Sequence, residues 1–119
     1  MNNYNKIFLS LCLSNVLLAG NAMAADVAKG KALFAERCAS CHGPEGAGDG
    51  PIAAALPPES KPADLKTGKY KFAVDAAKFK ELMQKGGAGV GLNPLMTGAP
   101  GASDADIDNI YAFVKSLHK

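Results

Sequence analysis

Cys38-Ala39-Ser40-Cys41-His42 is a C-x-x-C-H motif, the attachment signature of c-type haem. The spacing has a physical basis. Residues three apart on a helical turn share a face, so two thiols can add across the two vinyl groups on one side of a porphyrin while the adjacent imidazole reaches the iron. Three other uses of the pair compete with this one. A thiol–disulfide redox pair prefers a βαβ setting, and no strand pattern precedes Cys38. A structural zinc site takes four protein ligands and a catalytic one three, and His118 is the only residue that extends the set. A plain disulfide would close too short a loop to stabilise the chain much, and it explains neither His42 nor the glycine- and proline-rich loop that follows.

Upstream of the motif, Ile7 to Ala19 is an apolar run bounded by Lys6 and by Gly20-Asn21-Ala22-Met23-Ala24. The run is shorter than the roughly 20 residues a membrane-spanning helix needs. The small residues Ala22 and Ala24 stand where a signal peptidase reads. Residues 1–24 are therefore expected to be a cleaved secretory leader, with a periplasmic destination for residues 25–119 and no membrane span once the leader is gone. Cys12 follows Leu11 rather than the small residue a lipid-attachment signal wants, and it is removed with the leader.

The 119 residues include 13 Lys+Arg and 11 Asp+Glu, a formal net charge of +2. Balance of that kind argues against a nucleic-acid binder, which gathers a dense basic stripe. Hydrophobic residues make up 48% but include no Trp, so the unaided core of one small domain would be thin.

Asp26 is placed to cap a helix from Val27 to Cys41, with Val27, Leu33 and Phe34 among its apolar positions. Gly30 in its middle costs about 1 kcal/mol relative to Ala, which predicts a close helix crossing there. From Gly43 to Pro62 the density of Gly and Pro forbids regular structure over most of the stretch. A loop of that length in a compact domain commonly wraps a ligand. Pro62 to Phe72 also reads as irregular. Asp75 caps a second helix, Ala76 to Lys85, which Gly86-Gly87 ends. Ser103 caps a third, where Asp104 and Asp106 complement the positive end and Lys115 and Lys119 the negative one. Its Ile107, Ile110, Tyr111, Phe113, Val114 and Leu117 form a broad apolar face, with Ile110 and Phe113 as the partners of Gly30 and Phe34.

Taken together, Gly30-x-x-x-Phe34, Cys38-x-x-Cys41-His42-Gly43, Gly46-x-Gly48-Asp49-Gly50-Pro51, Pro62-Ala63-Asp64-Leu65, a late methionine and Tyr111-Ala112-Phe113-Val114 resemble a class I, single-haem cytochrome c of the bacterial periplasmic kind. The resemblance runs from Val27 to Leu117. It implies an all-α, small cytochrome c fold, with three main helices and long loops wrapped around one covalently attached haem c. It also implies that the proline after the motif, here Pro51, offers its carbonyl to the proximal imidazole of His42. Such an acceptor fixes ring orientation and raises ligand basicity.

The distal iron ligand is expected to be a methionine or a histidine. Met83 fits the apolar face of the second helix, where a core role accounts for it. His118 follows the last apolar position of its helix and reads as a solvated residue. Met96 sits between Gly- and Pro-rich flanks, on a loop able to fold over an open haem face, and is the expected ligand. The family often places proline directly after its ligand methionine, whereas Thr97 follows here and Pro94 lies two before.

With His42 and Met96 both bound, six-coordinate iron offers no vacancy to oxygen or peroxide and suits outer-sphere electron transfer. The expected function is a periplasmic electron carrier and not an enzyme. A haem enzyme or gas-binding sensor with an open distal site, a fixed cytochrome subunit of a larger oxidoreductase, and a haem-free redox or metal-binding module are the alternatives. Residues 61–85 hold seven lysines against three acids, a local excess of +4. That face either steers the chain to an acidic redox partner or is a solvated surface. The sequence identifies no donor or acceptor.

Overall fold

A computed structural model describes residues 24–119. The leader expected over residues 1–24 lies, all but its last residue, outside the described residues.

Helix α1 spans Val27–Arg37 and begins where Asp26 Oδ1 accepts the Lys29 N–H at 3.0 Å. The single helix expected from Val27 to Cys41 is in fact two. Cys38, at φ −123° and ψ −31°, leaves helical geometry, and a one-turn helix α2 resumes over Ala39–His42. Helix α3 spans Ala76–Gly89, with Asp75 Oδ1 accepting from Lys78 N at 2.8 Å. Its regular part ends where expected. Gly86 at φ +69° breaks the helical path, and one more turn carries the chain to Gly89. Helix α4 spans Asp104–Ser116, and Ser103 Oγ accepts from Asp106 N at 3.1 Å. Between α2 and α3 the chain makes three short 3-10 turns, Ala53–Ala55, Pro58–Ser60 and Leu65–Thr67, and is otherwise irregular. No strand occurs among the described residues.

The core is built where α1 meets α4. A Cβ added at Gly30 would stand 1.9 Å from the Asn109 carbonyl oxygen and 3.0 Å from Phe113 Cβ, so the two backbones touch at that point. Asp26 N–H donates to Asn109 Oδ1 at 2.7 Å and fixes the register of the crossing. One helical turn further on, the Phe34 and Phe113 rings pack at 5.1 Å between centroids. Phe34, Ile107 and Ile110 are each at most 1% exposed. Each Å² of apolar surface buried along this seam contributes about 25 cal/mol to folding.

Helix α3 closes the other side of α4. The Phe79 and Tyr111 rings are 5.1 Å apart, and Lys80 Nζ reaches Asp104 at 3.4 Å and Asp108 at 3.7 Å. Met83, 2% exposed, fills the core from α3. Past the Gly86 break, Gly87 N–H donates to the Met96 carbonyl at 2.6 Å, and Ala99 N–H to the Met83 carbonyl at 2.8 Å. The 93–99 loop is thereby laid against the end of α3.

Candidate haem site

The chemistry-bearing residues converge on α2. Cys38 and Cys41 are half-buried free thiols, and His42 is buried, with its ring 6.5 Å from that of Phe34. The following loop is hydrogen-bonded onto the carbonyls of this one turn. Gly48 N–H donates to His42 O at 2.8 Å, Gly50 N–H to Cys41 O at 3.0 Å and Ile52 N–H to Ser40 O at 3.0 Å. A side chain at Gly50 would lie 2.4 Å from Ser40 O and 2.6 Å from Ala39 O, so only glycine permits the approach. An orphaned helix end is satisfied by this loop, and the motif is held rigid despite its brevity.

The imidazole is oriented by a backbone carbonyl. His42 Nδ1 lies 3.3 Å from Ala63 O. A carbonyl oxygen can only accept, so the proton resides on Nδ1 and Nε2 carries the lone pair. Burial pushes the His42 pKa below its ordinary value, against the smaller opposing effect of the Ala63 hydrogen bond. A neutral imidazole with a free Nε2 is the form that ligates metal. Burial likewise pushes the Cys38 thiol up to about 11, against the lowering effect of Arg37, so it is a protonated thiol at neutral pH.

Pro51, expected to supply the carbonyl opposite His42, does not occupy that position. It is exposed, in the turn that ties residues 50–52 to Ser40 and Cys41. The Gly43–Gly50 loop instead brings the later segment across the ring. Leu65 N–H donates to Gly46 O at 2.7 Å, and a Cβ at Gly48 would stand 2.8 Å from Pro62 O. Ala63 went unnamed at the level of sequence because a backbone acceptor leaves no mark in side-chain identity. The signal that could have found it is the Pro62-Ala63-Asp64-Leu65 segment, already conspicuous beside the motif.

The two remaining distal candidates stand in different surroundings. His118 is exposed, with Nε2 2.6 Å from Tyr70 Oη. Met96 is half-buried and packs against the same core cluster as Cys38. Its loop is organised by Asn93, part of an Asn-Pro turn signal in the flank of Met96 whose hydrogen-bonding role the sequence did not reveal. Asn93 O accepts Met96 N–H at 3.1 Å, its Oδ1 accepts Leu95 N–H at 2.9 Å, and its Nδ2 donates to Ser60 Oγ at 2.8 Å.

Two unbridged thiols and a neutral imidazole on one helical turn and its N-cap fit a covalently held haem. They do not fit zinc, because among the described residues no group of three His, Cys, Asp or Glu side chains gathers.

A family model described as Cytochrome c matches residues 27–118. The chain is 36% identical to cytochrome c-554(547) of Halothiobacillus neapolitanus, over 79% of this chain and 99% of that one. It is 32% identical to cytochrome c6 of Synechocystis sp., over 95% of this chain and 89% of the other. It is also 32% identical to the cbb3-type cytochrome c oxidase subunit CcoP of Azospirillum sp., over 88% of this chain but 34% of that subunit. A chain of the Kuenenia stuttgartiensis reducing HAO-like protein complex superposes with a TM-score of 0.62 at 24% identity, over 80% of this chain and 44% of that one, a likeness of fold.

Proposed function

The chain belongs to the cytochrome c family, which brings covalently bound haem c and haem-based electron transfer, and on that premise we propose that it is an exported, periplasmic electron carrier whose iron is held by His42 and Met96. When bound, the haem supplies a one-electron Fe(III)/Fe(II) couple. Cys38 and Cys41 would hold it covalently, each thiol S–H adding across a vinyl group with no leaving group. His42 presents Nε2 while Ala63 O holds its Nδ1–H, and this geometry is the observation that carries the reading. Met96 would be the second protein ligand, a soft, neutral thioether that would favour the ferrous state and raise the potential.

The surroundings of His118 support Met96 as that ligand, since its Nε2 is engaged by Tyr70. They also support a carrier over an enzyme. His118 is the other described imidazole, and its placement on Tyr70 leaves no described histidine to act as a distal acid or base. The partner is an acidic protein. Ion pairs engage Lys66, Lys78, Lys80 and Lys85, and exposed Lys61, Lys69 and Lys71 remain outside them as charges for steering, Lys61 with its Nζ on the Ala53 carbonyl.

The visible spectrum of the oxidised holoprotein tests the ligand pair. The expected result is the weak red band of methionine sulfur bound to ferric iron, lost in Met96→Ala together with a fall in potential and with rapid carbon monoxide binding by the ferrous form. An unchanged potential in that variant would remove Met96 from the reading. The likeness to an oxidase subunit favours a second reading, a fixed position in a larger oxidoreductase. Fractionation of the cells that make the protein separates the two: a carrier appears in the periplasmic fraction with Ala25 as its first residue, a fixed subunit in a larger complex.

A further inference from the structure

The carbonyl that orients His42 belongs to a segment with no helix or sheet of its own. Ala63 is exposed, and the nearest regular structure is the three-residue turn Leu65–Thr67. The position of Ala63 O therefore depends on whatever anchors residues 63–66. Leu65 N–H on Gly46 O is one anchor. Within the turn Lys66 N–H donates to Asp64 Oδ1 at 2.9 Å and Thr67 Oγ1 to Asp64 O at 3.0 Å, and Lys66 pairs with Glu45 at 3.7 Å. Tyr70 and the residues that follow α4 add a further set. Tyr70 Oη lies 2.8 Å from Leu65 O and 2.6 Å from His118 Nε2. Leu65 O can only accept, so the single phenolic proton goes to it, and His118 Nε2–H donates to the phenolic oxygen. Lys119 N–H donates to Lys66 O at 3.2 Å. His118 is itself held to α4 through its N–H on Lys115 O at 3.2 Å. At Gly68, φ +64°, a Cβ would stand 3.2 Å from His118 Nδ1, so the turn accommodates the ring by lacking a side chain.

From this relay we infer that Tyr70 and His118 are positioning residues for the proximal ligand, holding the Ala63 carbonyl in register with His42 Nδ1 from the end of α4. The inference rests on the reading of His42 as the iron ligand. Neither residue touches the imidazole. They act through Leu65 O and Asp64, the one residue between Leu65 and Ala63. Relaxing the anchor lengthens the Nδ1–H to carbonyl contact, lowers ligand basicity and withdraws stabilisation from the ferric state.

The experiment uses the reduced holoprotein with ¹⁵N-labelled histidine, and follows solvent exchange of the His42 Nδ1–H alongside that of backbone amides in α1 and α4. The variants are Tyr70→Phe, His118→Ala and His118→Gln, whose amide can still donate to the phenol. The expected result is about fivefold faster His42 Nδ1–H exchange in Tyr70→Phe and His118→Ala. That is the loss of one hydrogen bond of about 1 kcal/mol at 1.4 kcal/mol per tenfold. An upward shift in potential accompanies it, and His118→Gln stays near the wild-type value in both. Exchange unchanged in His118→Ala, or accelerated no more than the α1 and α4 amides, overturns the proposal, because the pair then contributes only general stability. Should Tyr70→Phe fail to fold, the His118 pair decides alone. Wild-type His42 ring protons must also show the large haem ring-current shifts of an axial ligand. Their absence overturns the ligand reading and this proposal with it, whereas their presence with unchanged exchange overturns this proposal alone.

Discussion

Gly30 shows how much one missing carbon can hold. The Cβ of alanine would fall 1.9 Å from the Asn109 carbonyl, a backbone atom with no rotamer to yield. Gly30→Ala is expected to destabilise the protein by about 2–3 kcal/mol despite a gain of roughly 1 kcal/mol in helix propensity. Denaturant unfolding of the holoprotein checks this, and a variant as stable as wild type would mean that α4 can slide. This contact was legible in the sequence, because a glycine inside an amphipathic pattern makes sense only beside a close neighbour. The acceptor opposite His42 was not legible. Pro51 and Ala63 both lie in the irregular stretch after the motif, and choosing between two backbone carbonyls requires knowing the path of the loop.

Among the helices, α4 was readable from Ser103 to its last turn, because cap, first-turn acids and apolar face all agree with the observed Asp104–Ser116. The division of α1 from α2 was hidden. Nothing in Arg37-Cys38-Ala39 breaks a helix, and the interruption accompanies a tertiary arrangement in which residues 48–52 cap the carbonyls of α2. Helix α3 carries a local electrostatic test. Glu81 accepts from Lys85 Nζ at 3.0 Å and from Lys78 Nζ at 3.1 Å, and these bonds hold its carboxyl below the usual range. A depressed folded pKa contributes stability that is complete above the unfolded value and is lost as pH falls through the folded one. Thermal unfolding should therefore show wild type above Glu81→Gln at neutral pH and low salt. The gap is expected to close as pH drops below the ordinary glutamate value, and to shrink in high salt. A gap that persists in acid would assign the effect to packing instead.

Across the whole molecule the lysine-rich 61–85 region is partly neutralised from within, since α3 lends Lys80 to Asp104 and Asp108. The charge left for encounters is smaller than the sequence total suggests and is carried by Lys61, Lys69 and Lys71. Oxidation of the reduced holoprotein by hexacyanoferrate, a small anionic iron complex, should slow as salt rises past about 0.1 M, where the Debye length is about 10 Å. The double variant Lys69→Glu, Lys71→Glu should flatten that dependence, and an unchanged salt profile would remove these two residues from steering. The α1–α4 seam also orders events in time. Its halves come from residues 27–37 and 104–116, so the longest loop in the domain must close before either helix gains its main partner. Until α4 reaches α1, Phe34 and the adjoining thiols lack the element that covers them, so the attachment motif stays open for as long as that loop is unclosed. A fold closed by its two terminal helices leaves its cofactor site accessible until the last long-range contact is made.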